Sequence, residues 1–178
     1  WGDKAEWQVV SASQAGDWAP PSSTGQLIYD TLSAHIHPLK ATRALARAVE
    51  NLGGVITPAG ARQGAIIDAR GWQGLIEISK TLGQEFGNGV KGQAALLDLN
   101  SPGKPQLFSD GLHVVPHLDG TVGIGSTSER YFKSPIKNDE QLDDLISKAK
   151  KLFPILKDAP VISRWAGVRP RAFTRAPI

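Results

Sequence analysis

The sequence predicts an α+β fold, a largely antiparallel sheet with helices on one face, and three observations carry that expectation. Two stretches repeat apolar residues at helical spacing: Ala41, Leu45, Ala48, Val49 and Leu52, and later Leu142, Leu145, Ile146, Ala149 and Leu152. Leu112 to Pro116 and Thr121 to Gly125 flank Leu118-Asp119-Gly120, and Asp-Gly between two such runs is a strong hairpin signal. Further strand-like runs, Val90 to Leu99 and Val161 to Trp165, fall in the same half of the chain. No internal repeat is present.

Taken in order, the first 26 residues are rich in Ser, Gly, Pro and Trp and end in the turn-forming run Pro20-Pro21-Ser22-Ser23-Thr24-Gly25. Leu27 to Ile36 reads as a strand ending at His37-Pro38. Pro38 suits the first turn of a helix, where a missing N–H costs nothing. Lys40, Arg43, Arg47 and Glu50 take the polar face of that helix, and Gly53-Gly54 ends it. Val55-Ile56 begins a short strand, and Ala65 to Ala69 is a compact apolar one. Arg70-Gly71-Trp72 then leads into a helix reaching about Leu82. Asn138-Asp139-Glu140-Gln141 resembles a capping box in which Gln141 reaches back to the cap.

Composition bounds the function classes. Of 178 residues, 40% are hydrophobic and 21% charged, close to the usual globular mix. No run approaches the ~20 apolar residues of a membrane span. The N-terminus lacks the basic, apolar, small-residue order of a signal peptide, and the absence of Met leads us to expect a chain cut from a longer one. The net charge is +3, and its densest cluster, Lys148, Lys150 and Lys151, sits beside Asp143 and Asp144. No basic stripe with interleaved aromatics marks a nucleic-acid groove, and no nucleic-acid partner is expected. Zero Cys excludes disulfides, thiolate metal sites and a Cys nucleophile, and it fits a reducing compartment; a cytoplasmic location is expected. His35-x-His37 and His113-x3-His117 pair imidazoles on single strand faces without an evident third ligand, so no metal site is expected.

Four segments, in this order, resemble the FAD-dependent amino-acid oxidases of the glycine oxidase and D-amino-acid oxidase type. They begin with Ile36-His37-Pro38 and its helix, then Gly53-Gly54-Val55-Ile56. Ile66-Ile67-Asp68-Ala69-Arg70-Gly71-Trp72 is similar to that family's strand-to-Gly-Trp turn beside the flavin. Val90-Lys91-Gly92-Gln93 follows, with His113-Val114-Val115-Pro116, Asp119-Gly120 and Ile124-Gly125-Ser126-Thr127-Ser128-Glu129. Phe153-Pro154-x-Leu156 and Trp165-Ala166-Gly167-Val168-Arg169-Pro170 complete the series. The family's Gly-x-Gly-x-x-Gly phosphate turn is absent, as is its closing Gly-rich segment.

The resemblance implies FAD as cofactor, a small amino acid as substrate and molecular oxygen as acceptor, with oxidation at the Cα–N bond. It also implies that residues 1–36 and 85–165 form a substrate-binding domain, and that 37–84 and 166–178 form part of an FAD-binding domain. Arg169 would receive the substrate carboxylate in its planar fork, with Arg171 as the nearby competitor. His113 stands where many relatives place a Tyr on that carboxylate. Gly71, Trp72 and Arg70 would border the cofactor, while Lys91 and Gln93 read as structural. No protein nucleophile is required, because the flavin carries the redox chemistry. The alternatives are a non-catalytic fragment or ligand-binding module, and the flavin half of a tRNA-modification enzyme. By itself the chain is expected to purify without FAD and to be inactive.

Overall fold

The computed structural model describes residues 6–20 and 22–174. Its centre is a five-stranded, wholly antiparallel sheet. The strands are β3 (Gly87–Asp98), β4 (Leu107–Ser109), β5 (Leu112–Pro116), β6 (Thr121–Gly125) and β7 (Val161–Ala172), in the spatial order β4-β5-β6-β3-β7. The expected hairpin is present: β5 pairs with β6 in the register His113↔Gly125 to Pro116↔Val122. Gly120, at φ 84°, takes the left-handed turn position that a side chain disfavours.

Helix α4 (Glu140–Leu152) covers one sheet face with the expected stripe, burying Leu142, Leu145, Ile146 and Ala149. These meet Ala95, Leu97, Leu112, Val114, Val122 and Ile124 in one core. The helix is capped by Asp139, whose side chain accepts from the Gln141 N–H, so the cap lies one residue later than the box placed it. Asp139 is better placed because its carboxylate is also held by β3.

The N-terminal part forms its own two-stranded sheet, β1 (Trp7–Ser11) with β2 (Gln26–Asp30), with the one-turn helix α1 (Ala12–Ala15) following β1. The strand expected to reach Ile36 stops at Asp30, where the carboxylate accepts from the Ser33 N–H and hydroxyl and turns the chain. Trp18 ties this part to the main core: it is 4% exposed, and its indole N–H donates to the Pro105 carbonyl at 2.8 Å.

Helices α2 (Pro38–Asn51) and α3 (Trp72–Leu82) form as expected, with Gly53 at φ 86° just beyond the end of α2. Two expectations between them fail: neither Val55-Ile56 nor Ala65 to Ala69 is a strand. A strand exists only as a member of a ladder, and among the described residues no neighbour pairs with either segment. Accordingly Val55, Ile66 and Ile67 are exposed, as are Leu45, Val49 and Leu52 of α2. The last strand, expected to end at Trp165, continues to Ala172. It is a sheet edge, where Pro170 can sit without a ladder donor being missed. No helix among the described residues is long and apolar enough to cross a membrane.

Candidate anion-binding site on the open sheet face

Strand alternation divides the sheet into a helix-covered face and an open one. On β3, Lys91, Gln93, Ala95 and Leu97 point toward α4 and are buried, so Val90, Gly92, Ala94 and Leu96 belong to the open face. Arg164 of β7 reaches Asp143 of α4 at 2.6 Å, which fixes the helix side of that strand. Trp165, Gly167, Arg169 and Arg171 therefore alternate onto the open face.

One rung crosses all five strands. Trp165 pairs with Ala94, Ala94 with Gly125, Gly125 with His113, and His113 with Phe108. The middle of the rung is thus Ala and Gly, bounded by Trp165 on one side and by His113, stacked on Phe108 at 4.6 Å, on the other. Gly92, Gly167 and Gly123 extend this small-residue floor. A Cβ added at Gly167 would meet nothing within 4 Å, so that part of the floor is open.

Arg169 lies in register with Val90, and its Nη2 donates to the Ser128 hydroxyl at 3.1 Å. Val90 is only 2% exposed, although it faces away from the main core. Among the described residues Arg169 forms no salt bridge. Arg171, opposite Asn88, joins Asn88, Arg130 and Phe173 around a recess of about 140 Å³. A larger recess of about 450 Å³ between Ala12, Asp17, Pro20, Ser22, Pro154 and Ile155 contains none of the expected site residues.

The structure thus places Arg169, Arg171 and His113 on one face, and it does not place the other three there. A Cβ on Gly89 would come within 3.3 Å of the Trp72 ring, and Gly89 lies on the helix side of β3. Trp72 packs on that side, edge-to-face with Phe132 at 6.4 Å between centroids. Gly71, at φ 64°, turns the chain into α3. Arg70 is neutralised within its own turn, at 2.5 Å from both Asp68 and Glu77. Its hydrogen bonds pull the Asp68 carboxyl down to about 2, and the two carboxylates raise the Arg70 guanidinium above its ordinary value.

The two paired-imidazole motifs are rearranged. His37 and His117 stack on each other at 4.5 Å, and His37 Nε2 lies 3.7 Å from Asp119, which Lys40 holds at 2.6 Å. No group of three or more His, Cys, Asp or Glu among the described residues is arranged to hold a metal.

Sequence reasoning missed Trp165, Ser128, Arg130 and Asn88. Alternation along Trp165-x-Gly167-x-Arg169-x-Arg171 was a usable signal for Trp165. Ser128 and Arg130 needed the bridge between Glu129 and Lys91, which sequence does not announce.

An arginine with no carboxylate partner among the described residues thus stands on an open face floored by Gly and Ala. The model of the FAD dependent oxidoreductase family matches residues 1–178, and the chain belongs to that family. It is 34% identical over 109 residues to a glycine oxidase of Pseudomonas putida, covering 59% of this chain and 29% of that protein. It is 32% identical over 139 residues to a glycine oxidase of Pseudomonas aeruginosa, covering 76% of this chain and 38% of that protein. The fold is similar to a glycine oxidase of Bacillus cereus, with a TM-score of 0.73 at 17% identity, covering 94% of this chain and 53% of that one. It also resembles an L-proline dehydrogenase of P. horikoshii, with a TM-score of 0.67 at 15% identity, covering 95% and 53%. The chain therefore spans about half the length of these solved relatives and less of the curated ones.

Proposed function

We propose that this chain supplies the substrate-binding sheet of an FAD-dependent oxidoreductase that oxidises the Cα–N bond of a small amino acid of the glycine, sarcosine or D-amino-acid type, with oxygen as acceptor. The observation that carries this reading is Arg169 on the open face, bonded to a neutral hydroxyl and to no carboxylate among the described residues. A planar guanidinium in that state meets a carboxylate through two parallel bonds. His113, in the rung that bounds the floor, is a second donor toward the same ligand.

Around Ala94 and Gly167 the floor would admit a planar ring system, since a Cβ at Gly167 meets nothing within 4 Å, whereas Ser126 and Thr127 lie over Gly92 and His117 over Gly123. FAD held there would supply the acceptor for the amine's electrons. This chain's residues bind the carboxylate, orient Cα and shape the walls. Residues 37–84, with 166–178, would form part of the FAD-binding domain, although residues 166–172 also lie within β7 of the sheet. The exposed apolar residues Leu45, Val49, Leu52, Ile66 and Ile67 support this division, since an unpaired apolar surface of this extent needs a covering partner.

Anaerobic titration of the FAD-loaded longer protein to which this chain is expected to belong, with glycine, sarcosine and D-alanine, tests the reading. Bleaching of the flavin absorbance by one of them, with hydrogen peroxide formed on readmitting oxygen, is expected. A flavin band unmoved by every one of these amino acids would remove the amino-acid assignment.

A further inference from the structure

We propose that the site takes an amino acid carrying a second carboxylate, with Arg169 holding one carboxylate while Arg171, Arg130 and Asn88 receive the other. The inference deepens the reading above and rests on Arg169 as the first anchor. Arg169 and Arg171 are two residues apart on one strand, hence on one face with Cα atoms about 6.6 Å apart. Asn88 pairs with Arg171 and adds a side-chain amide on the same face.

Arg130 arrives from another part of the chain. The bridge between Lys91 and Glu129 turns the Glu129 side chain toward α4, where it meets the Lys91 ammonium at 3.2 Å. Its neighbours Ser128 and Arg130 are left for the open side: Ser128 touches Arg169, and Arg130 lines the recess with Arg171, Asn88 and Phe173. The acid next to Arg130 in sequence is thereby used on the opposite face.

Six arginines, Arg43, Arg47, Arg62, Arg130, Arg169 and Arg171, form no salt bridge among the described residues, and three of them meet at this corner. Arg70 and Arg164 each have a carboxylate partner, at 2.5 and 2.6 Å. Arg130, Arg169 and Arg171 form no salt bridge among the described residues, yet they gather around Val90 and Asn88. Like charges brought together repel, and an anion entering between them is attracted by all of them. One monocarboxylate on Arg169 leaves the Arg130–Arg171 recess unmatched. A substrate whose two carboxylates are a few bonds apart, such as an acidic amino acid or an N-carboxymethyl amino acid, reaches both. Phe173, 56% exposed at the rim, offers an apolar wall to the connecting carbons.

The test uses the FAD-loaded longer protein to which this chain is expected to belong and reads ligand binding as a perturbation of flavin absorbance, with propionate, succinate and inorganic phosphate as probes. Succinate is expected to bind at least about tenfold tighter than propionate, the scale of one charge-assisted hydrogen bond. Arg171→Ala and Arg130→Ala, both exposed positions, should each draw the succinate-to-propionate ratio toward one. Arg171→Lys should restore part of it. Arg169→Lys should weaken both acids. Succinate binding no tighter than propionate in the wild type would overturn the second carboxylate while leaving Arg169 as an anchor. Failure of Arg169→Lys to weaken either acid would remove the anchor and this inference together. Phosphate alone matching succinate, with the response lost in Arg171→Ala, would give the recess to phosphate and overturn the proposal.

Discussion

Gln93 and Asp139, 46 residues apart, exchange two hydrogen bonds: the Gln93 amide donates to Asp139 Oδ1 at 2.6 Å, and the Asp139 N–H donates back to Gln93 Oε1 at 2.9 Å. The same carboxylate caps α4 and accepts from the Lys91 ammonium at 3.1 Å. Gln93 is fully buried and Lys91 is 2% exposed, so water cannot readily replace these bonds. One strand residue therefore fixes both where α4 starts and how it sits on the sheet.

Replacing Gln93 by Leu keeps the volume and removes the bonds. The Asp139 N–H loses its partner while Glu129 Oε1 keeps the Thr127 hydroxyl, and an unsatisfied part-buried group costs about 1–3 kcal/mol. We expect Gln93→Leu to lower unfolding stability by roughly 2 kcal/mol, measured by urea unfolding. A change within about 0.5 kcal/mol would mean that the exchange does not hold the helix.

The same network sets the acid response. Burial pushes the Glu129 carboxyl up, but bonds from Thr127, Gln93 and Lys91 outweigh it and hold it below its ordinary 4.5. The Gln93 amide, then Lys91, holds Asp139 below 3.8. Carboxyls lowered by folding contribute stability that is present above their unfolded values and lost as pH falls through the folded ones. Lys91 runs the other way: burial lowers it, yet Asp139 and Glu129 raise it above 10.5 overall, so its contribution is lost only as pH rises through that raised value. The urea midpoint should therefore decline on acidification below about 4.5. A midpoint that rises between neutral pH and pH ~4 would contradict the sign.

How much of this was legible depended on whether a residue's structural partners were near in sequence. The β5–β6 hairpin was readable because Asp119-Gly120 supplies its own turn, and α4 because its stripe meets a complete sheet. Ala65 to Ala69 looks like a strand by composition, but composition cannot supply the neighbour that a ladder requires. The far half of β7 was hidden for the opposite reason: Arg169-Pro170-Arg171 has poor strand propensity, and only the long antiparallel partner from Gly87 to Val90 makes it a strand. At the site, Arg169 and His113 were individually visible, whereas their shared face depended on a register running through Ala94 and Gly125.

His117 offers a test of how α2 sits on the end of that face. Its Nε2 lies close over Gly123, where an added Cβ would be 3.4 Å away, and its ring stacks on His37, the residue preceding α2. Burial lowers the imidazole below its ordinary 6.5; the nearby His37, His35 and Lys40 lower it further, while Asp119 opposes them. A histidine lowered by folding favours the fold while neutral, so the contact should weaken as pH falls through that lowered value. Titration of the His117 ring by NMR should give a midpoint under 6.5, with amide exchange along α2 accelerating at lower pH. A midpoint at or above 6.5 would show that the stack does not shield the ring.

Arg169→Lys addresses the proposed function at its centre. The substitution keeps the positive charge but replaces a planar fork with a single ammonium, so it removes bidentate geometry rather than attraction. It also removes the donor to Ser128, an exposed bond whose loss should leave folding almost unchanged. FAD content should stay at the wild-type level, because no part of the small-residue floor is altered. Affinity for the amino-acid substrate, read from the concentration dependence of anaerobic flavin reduction, should fall by about 2 kcal/mol or more, roughly thirtyfold. Equal affinities in the two proteins, with equal flavin loading, would take Arg169 out of the site. Arg171, on the same face and facing its own recess, would then be the residue left to bind the carboxylate.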